Sequence, residues 1–239
     1  MSQLEIVQTP FGLFQIDPRD IIGSTLKAGT LWDGPGFLEV IAREYARFDT
    51  IGETIIDIGA NIGSFSIYCA AQGAWRVIAV EPVKVPTYQM LQANLDLNKH
   101  WCAASVIPLN VAAYNIDTVL RQECVDPGNI GGTSLYPGPF EECTIPAGPL
   151  DAWSFLFGQH VSLIKCDAQG CDLRALQGLE KTILKDRPAI VFEWDELLAA
   201  AHSNTLLDVS QFMYRMGYHY YPWPTHRDNF LALPRVRPL

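Results

Sequence analysis

The chain has 239 residues, 49% of them hydrophobic, which suits one large domain with a sizeable buried core. Its formal net charge is −9 and it contains no run of lysine or arginine, which excludes nucleic acid as an expected partner because a phosphate backbone would be repelled. The N-terminus lacks the basic and apolar regions of a signal peptide, and the uncharged stretch at 58–75 is too polar to span a membrane. We therefore expect a soluble, cytoplasmic protein without a membrane partner, in which the six scattered cysteines are reduced thiols.

The first 50 residues predict a hairpin and a helix. The stretches EIVQT and LFQID flank the turn residues Pro-Phe-Gly, a linker follows to about residue 30, and a helix is predicted from Gly36 to Phe48. We expect residues 1–50 to cover a pocket of a core formed by residues 51–239, the whole chain being a single domain.

Strand and helix patterns alternate over the rest of the chain. Strands are predicted at 54–58, 76–80, 105–109, 161–166 and 188–193, and helices at 63–72, 86–98, 172–184 and 205–216. This alternation is typical of an α/β fold in which helices cover both faces of a mostly parallel sheet. Residues 110–150 break the alternation and predict an antiparallel excursion with long loops. The C-terminal stretch predicts a final hairpin, with Pro222 and Pro224 near its turn.

The first candidate site is the run DIGANIG at 57–63, between a predicted strand and a predicted helix. In such sheets ligands bind at the carboxyl ends of the strands, beside the N-terminus of the next helix. Gly59 permits a tight turn and Gly63 permits close packing of that helix. A dinucleotide would favour glycine in place of Asn61 and would put its phosphates beside the Asp57 carboxylate, which is electrostatically unfavourable. A cationic ligand fits better, and S-adenosylmethionine carries an ammonium and a sulfonium.

A second acidic residue ends the next predicted strand. Glu81 follows VIAV at 77–80, and a carboxylate at this position can accept hydrogen bonds from both ribose hydroxyls of a nucleoside. After the third strand of the core, the side chain of Asn110 or the backbone of Val111 and Ala112 can accept the adenine amino group. The candidate cofactor-binding residues are Asp57, Gly59, Asn61, Gly63, Phe65, Glu81, Pro82, Asn110, Val111 and Ala112.

Three stretches of the sequence carry a family resemblance. They are IIDIGANIGSFSIY at 55–68, VEPVKVPTYQMLQANLDLN at 80–98, and LIKCDAQGCDLRALQGLEKTI at 163–183, which is followed by PAIVFEW at 188–194. Over about residues 50–196 the chain resembles the FkbM-type methyltransferases, which are class I enzymes dependent on S-adenosylmethionine. The resemblance implies a Rossmann-like, seven-stranded, mostly parallel sheet with a reversed C-terminal hairpin. It also implies methyl transfer to hydroxyl groups, often of sugars or natural products.

The chain departs from the family pattern at one position. The family has an acid before the glycine of a D-x-E-G motif, and this chain has Gln169 there, in the run DAQG at 167–170. A role that needs a second charge at this position is therefore in question. Asp172, two residues past the glycine, is the nearest replacement.

Two further carboxylates end the fourth and fifth core strands. Asp167 and Glu193 should lie side by side and face the methyl donor, and Lys165 lies on the same side of its strand as Asp167. An alcohol is a weak nucleophile whose proton a base must accept, so Asp167 is the first candidate base and Glu193 the second. The catalytic candidates are therefore Asp167, Lys165 and Glu193. The alternative is that these three residues form a structural network beneath the cofactor.

Other arrangements of this pocket stay open. Carboxylates after these two strands can hold magnesium, although Gln169 leaves fewer charged ligands, and we assign no metal. His202 follows the fifth strand and is an alternative base, whereas His219 and His226 are expected to be structural. The loop at 128–139 is either a lid or a mobile surface loop, and Trp32 is placed near the pocket mouth. Five aromatic residues of the C-terminal part are expected to pack in the core rather than stack on a sugar: Tyr214, Tyr218, Tyr220, Tyr221 and Trp223.

These observations favour an S-adenosylmethionine-dependent O-methyltransferase acting on a small molecule or sugar. Two alternatives belong to other classes. Gln169 is the feature that favours a cofactor-binding scaffold without catalysis. A nicotinamide-dependent oxidoreductase would use a related sheet, but Asp57 and the missing middle glycine disfavour it.

Overall fold

A computed structural model describes residues 4–33, 35–45, 48, 50–100, 105–123, 126, 128–138, 144–223 and 228–235. Several predictions fall outside these residues, namely those on Cys102, Cys124, Cys143, Pro224, His226 and the end of the 128–139 loop. The three cysteines within the described residues, Cys69, Cys166 and Cys171, are buried free thiols.

The N-terminal part contains the predicted hairpin and two helices. Strand β1 (Glu5–Thr9) pairs antiparallel with β2 (Gly12–Ile16). The predicted linker is wrong in part, because helix α1 (Ile21–Lys27) occupies it, with the Asp20 carboxylate accepting from the N–H groups of its first turn. Helix α2 (Pro35–Glu44) is shorter than predicted.

The remaining elements alternate as predicted. The strands are β3 (Thr54–Ile58), β4 (Arg76–Val80), β5 (Ser105–Leu109), β6 (Ala112–Ala113), β7 (Thr118–Gln122), β8 (Leu135–Tyr136), β9 (Thr144–Gly148), β10 (Val161–Cys166), β11 (Ala189–Glu193), β12 (Tyr218–Pro222) and β13 (Asn229–Pro234). The helices are α3 (Ser64–Ala71), α4 (Gln89–Asn98), α5 (Asp172–Gln177), α6 (Glu180–Asp186), α7 (Glu196–Ala200) and α8 (Leu206–Met216).

The main sheet has the strand order β12-β13-β11-β10-β3-β4-β5. The five strands from β11 to β5 are parallel, and β13 pairs antiparallel with both β11 and β12. The carboxyl ends of the parallel strands therefore meet at one edge, where the predicted site residues Asp57, Glu81, Asp167 and Glu193 lie.

Helices cover both faces of this sheet. On one face, strand residues such as Ile56 and Ile164 pack with α5, α6 and α8. On the other, Ile55 and Leu163 pack with α1, α2, α3 and α4. All five residues of β3 are buried, as a strand covered on both sides requires. The predicted α/β fold is thus confirmed.

The segment that interrupts the alternation forms a second, smaller sheet. Its order is β6-β9-β7-β8, with antiparallel pairs on both sides of β7 and a parallel pair between β6 and β9. The predicted antiparallel excursion is therefore correct for two of the three pairings. The turn Ile130–Gly132 between β7 and β8 reaches the edge of the main sheet at which the parallel strands end.

Two further differences from the prediction concern the helices after β10. The pattern at 172–184 is split into α5 and α6 at Gly178, where a Cβ atom would lie 2.2 Å from the carbonyl oxygen of Tyr114. The short helix α7, capped by Asp195, was not predicted. Such short helices carry too few residues for a clear periodic pattern.

Candidate active site

A cavity of about 250 Å³ opens at the carboxyl ends of β3, β4, β10 and β11. The sheet contributes the strand ends and the turns that follow them. The N-terminal segment contributes Ile21, Ile22, Trp32 and Asp33, and the turn at 129–133 closes the opposite side. The cavity is therefore bounded by three parts of the chain that are distant in sequence.

The β3–α3 turn is held in shape by glycine at a point of close approach. Gly59 has φ +79°, and a Cβ atom there would lie 1.8 Å from the carbonyl oxygen of Asp167. Gly63 has φ +88° and packs on the side chain of Leu91. Gly59 lines the cavity whereas Gly63 lies behind it, where it allows α3 to pack closely on α4.

Two buried oxygen atoms of this turn lack a hydrogen-bond partner within the described part of the chain. Asp57 is fully buried; its Oδ2 accepts from Ser66 Oγ at 2.6 Å, but its Oδ1 accepts from no donor. Asn61 Oδ1 is likewise buried and unpaired. Burial raises the pKa of Asp57, while the ammonium of Lys165 acts in the opposite sense. Both residues line the cavity, so a ligand that donates hydrogen bonds or carries positive charge would satisfy them.

Glu81 is tied to the backbone on both oxygens. Oε2 accepts from the N–H of Asn61 at 2.9 Å, and Oε1 accepts from the N–H of Val83 at 2.8 Å and from the hydroxyl of Thr87 at 3.3 Å. Burial raises the pKa of Glu81 to about 7 in spite of these hydrogen bonds. Each carboxylate oxygen has further lone-pair capacity, so the group can also accept from a ligand in the cavity.

Lys165 lies among three carboxylates. Its Nζ is 3.2 Å from Asp33 Oδ2, 3.7 Å from Asp167 Oδ2 and 3.9 Å from Asp57 Oδ1. Burial alone would lower the pKa of Lys165, but the three carboxylates outweigh it and hold the pKa above its ordinary value. The lysine is therefore a fixed positive charge under the cavity, and its Nζ also lies 5.7 Å from the ring centre of Phe65.

Asp167 and Glu193 lie side by side, and Gln169 connects them. The Gln169 Nε2 atom donates to Asp167 Oδ1 and to Glu193 Oε2, both at 2.8 Å. Burial, followed by the neighbouring Asp167, raises the pKa of Glu193 well above its ordinary range. Glu193 is thus suited to donate a hydrogen bond at neutral pH, whereas Asp167 has the ammonium of Lys165 as a counter-ion.

Asp172 does not take the place of an acid at position 169. Its two oxygens accept from the N–H groups of Ala168 and Gly170, so it fixes the loop after β10 from below. It is buried, it does not line the cavity, and burial raises its pKa to about 7.

The predicted adenine contacts divide into two groups. Pro82 and Ala112 line the cavity, as does Phe65. Asn110 and Val111 lie outside the lining, and the Asn110 amide instead donates to the carbonyl oxygens of Glu81 and Pro82. Asn110 therefore supports the turn that carries Glu81.

His202 lies behind the cavity wall. It is buried, its Nε2 is 2.8 Å from the carbonyl oxygen of Leu135, and its Nδ1 is 3.3 Å from the hydroxyl of Tyr114. A carbonyl can only accept, so Nε2 carries the hydrogen and Nδ1 accepts from Tyr114. Burial lowers the pKa of His202. Both nitrogens are engaged within the protein, which leaves neither to act as a base in the cavity.

Asp20 connects the N-terminal segment to the turn at 129–133 at the mouth of the cavity. This buried carboxylate caps α1 through one oxygen and accepts from the N–H of Ile130 through the other, at 2.8 Å. The N–H of Ile21 in turn donates to the carbonyl oxygen of Gly128. These hydrogen bonds hold the N-terminal segment and the turn at 129–133 together above the carboxyl ends of the parallel strands.

The C-terminal aromatic residues pack within the protein or face solvent. None of Tyr214, Tyr218, Tyr220, Tyr221 and Trp223 lines the cavity. Trp223 stacks on Phe37, Tyr218 is buried, and Tyr214 is exposed.

Sequence reasoning missed two residues of the site. Asp33 was not singled out, because its contact with Lys165 joins parts of the chain that are distant in sequence and no local pattern indicates it. Ser66, which donates to Asp57, lies in the first turn of α3 and has no distinguishing sequence pattern. The position of Gln169 was noted, but its contacts were not predicted.

Two features of the described residues concern membranes and metals. None of the helices there is both long and apolar enough to cross a bilayer. In the same part of the chain, no three His, Cys, Asp or Glu side chains are grouped as metal ligands would be.

Comparison with one solved structure shows the same fold, and a second structure is also similar in part. A methyltransferase FkbM from Methylobacillus flagellatus KT is 22% identical with a TM-score of 0.56, and the match covers 80% of this chain. The chain spans less than half of that structure, 45% of its length. A ribosomal protein L11 methylase from Lactobacillus delbrueckii subsp. bulgaricus is 14% identical with a TM-score of 0.49, over 89% of this chain and 79% of the other.

Comparison at the level of sequence identifies the family. Curated proteins give no significant match to the chain. The profile of the methyltransferase FkbM domain, however, matches residues 57–220, which includes every strand end that lines the cavity. The chain therefore belongs to the FkbM methyltransferase family.

Proposed function

We propose that this protein is an S-adenosylmethionine-dependent O-methyltransferase that acts on a hydroxyl group of a small molecule or sugar. The observation that carries the proposal is a pair of buried acceptor atoms to which no group of the described residues donates a hydrogen bond: Asp57 Oδ1 at the end of β3 and Asn61 Oδ1 in the turn after it. A cationic amino acid group would satisfy both, whereas a diphosphate would meet the Asp57 carboxylate at close range.

The charge of the cavity supports the same ligand. Its described lining contains five carboxyl groups and one basic residue, Lys165: the carboxyl groups belong to Asp33, Asp57, Glu81, Asp167 and Glu193. Such a surface attracts a sulfonium nucleoside and disfavours a phosphate-bearing coenzyme.

The residues present fit this cofactor from one end to the other. Asp57, Gly59 and Asn61 would hold the methionine end, and Glu81 the ribose hydroxyls. Pro82 and Ala112 would contact the adenine ring, and Phe65 with Asp167 would lie towards the sulfur. When bound, the cofactor supplies an electrophilic methyl group for in-line displacement.

The protein must also activate and orient the hydroxyl group of the acceptor. Its hydroxyl proton must be taken up as the oxygen attacks, and Asp167 Oδ2 is suited to accept it, because Gln169 occupies only Oδ1. Lys165, 3.7 Å away, stabilises the carboxylate, and a protonated Glu193 can donate to the acceptor and orient it. Asp167 is therefore the proposed base, and Glu193 the orienting group.

The test is methyl transfer from isotopically labelled S-adenosylmethionine to a panel of hydroxyl acceptors, with product mass as the readout. Asp167→Asn should leave cofactor binding within about two-fold and lower turnover by about 100-fold or more, in line with loss of a general base. Turnover unchanged by Asp167→Asn would overturn the assignment of the base.

A further inference from the structure

Gln169 donates a hydrogen bond to each of the two carboxyl groups at the ends of β10 and β11. One amide nitrogen has two hydrogens, and the 2.8 Å distances to Asp167 Oδ1 and Glu193 Oε2 place one hydrogen on each group. The backbone at Gln169 has φ +48°, in the left-handed region that few residues other than glycine adopt. All three residues line the cavity.

The Gln169 amide lowers the repulsion between the carboxyl groups of Asp167 and Glu193 without adding a charge. Lys165 is the neighbouring cation, but it is already shared by Asp33, Asp57 and Asp167. Its described ion pairs do not include Glu193. The Glu193 carboxyl also makes a direct hydrogen bond with Asp167. The amide of Gln169 donates to both groups and so fixes their relative position.

A carboxylate at position 169 would have the opposite effect. Glutamate has the same length as glutamine but carries an acceptor oxygen in place of the NH₂ donor, which places three carboxyl groups within hydrogen-bond distance of one another. Such a group requires either protons or a divalent cation, because carboxylate oxygens are the preferred ligands of magnesium and manganese.

We propose that Gln169 is the positioning residue of the acceptor site, a neutral bridge that sets the spacing of Asp167 and Glu193 where a third acid would need a cation. The role in positioning an acceptor rests on the proposed function. The bridge itself does not, and the two are tested separately.

The first experiment measures Mn²⁺ binding by electron paramagnetic resonance, without cofactor or acceptor. Gln169→Glu should bind Mn²⁺ at least about ten-fold more tightly than the wild-type protein. Gln211→Glu adds the same charge at an exposed position of α8 and should behave as the wild type. Equal Mn²⁺ affinity in the three proteins would contradict the proposal that Gln169 is a neutral bridge at a position where an acid needs a cation.

The second experiment measures the pH dependence of methyl transfer. Gln169→Glu should keep the affinity for S-adenosylmethionine, lose about ten-fold or more in kcat at neutral pH, and recover when Mn²⁺ is added or the pH is lowered. An unchanged kcat and pH profile would overturn the positioning role. Absence of cofactor binding in the wild type would instead count against the proposed function, while the Mn²⁺ result still decides the bridge.

A second variant covers the case in which Gln169→Glu does not fold. Gln169→Met keeps the length of the side chain and removes both donors. It should lower kcat with unchanged affinity for S-adenosylmethionine, and wild-type kcat in this variant would contradict the proposal.

Discussion

Two acidic side chains of the cavity, Asp57 and Glu81, are buried before any ligand binds, and this costs free energy. Asp57 and Glu81 are 0% and 5% exposed, and burial raises the pKa of both groups. Three protein donors partly offset the cost at Glu81, whereas Asp57 has one donor and the distant ammonium of Lys165. A cationic ligand with hydroxyl donors would offset the rest, so the same residues that destabilise the empty site should stabilise the complex.

Replacement of Glu81 should weaken cofactor binding. Glu81→Ala removes the acceptor for two ribose hydroxyls, and we expect a loss of about 1–3 kcal/mol in binding free energy, measured by titration calorimetry. Glu39→Ala, at an exposed position of α2, is the control for lost charge and should bind as the wild type. Wild-type affinity in Glu81→Ala would show that Glu81 does not bind the ribose.

The elements that carry the site were largely predictable, for physical reasons. The limits of β3, β4, β5 and β10 agree with the sequence pattern. For β3, β4 and β10 the reason is that buried parallel strands are continuous apolar runs bounded by turn residues, whereas β5 lies at the edge of the sheet and is partly exposed. Helices α1 and α7 were missed because each begins at an Asp cap but is too short to show a helical period.

The turn between β3 and α3 should be the least tolerant of a side chain at glycine. Gly59→Ala would place Cβ 1.8 Å from the Asp167 carbonyl oxygen, at φ +79°. Gly52 has nearly the same φ, +77°, and a Cβ atom there would have no described neighbour within 4 Å, so Gly52→Ala measures the backbone strain alone.

We expect Gly52→Ala to cost about 1–2 kcal/mol of unfolding free energy, and Gly59→Ala to cost about 4 kcal/mol or to prevent folding. Urea denaturation measures both. Equal losses in the two variants would show that the turn can move away from β10.

At the scale of the whole molecule, the topology predicts which strand-end residues meet in the site, but it does not predict the tertiary contacts that complete it. Parallel strands end at one edge, so the convergence of Asp57, Glu81, Asp167 and Glu193 follows from the order of the elements. Asp33 reaches Lys165 from the N-terminal segment, a tertiary contact that no local pattern encodes. The hydrogen bonds of Gln169 depend likewise on its backbone conformation and on the spacing of two strands.

The buried carboxyl groups also predict how stability changes with pH. In the folded protein the pKa of Glu81 is about 7, above its ordinary value of 4.5, so between these values the folded state binds more protons than the unfolded state. Stability from this group is therefore fully present below about pH 4.5, is lost as the pH rises through about 7, and changes little at higher pH. His202, whose pKa is lowered, acts in the opposite sense.

Comparison with Glu81→Gln isolates this contribution, since His202 titrates in both proteins. The free energy of unfolding of the variant minus that of the wild type should increase by up to about 3 kcal/mol as the pH is raised from about 5 to about 8. Denaturant melts at both pH values, without ligand, measure it. A stability difference that does not change with pH would mean that burial of Glu81 is not costly.

The central claim is that the cavity is built for a cationic sulfur nucleoside. Titration calorimetry of the wild-type protein with S-adenosylmethionine and, separately, with NAD⁺ tests it most directly. We predict saturable binding of S-adenosylmethionine at a single site, weakened by Asp57→Asn, and no measurable heat from NAD⁺ binding. Saturable binding of NAD⁺ with none of S-adenosylmethionine would contradict the account.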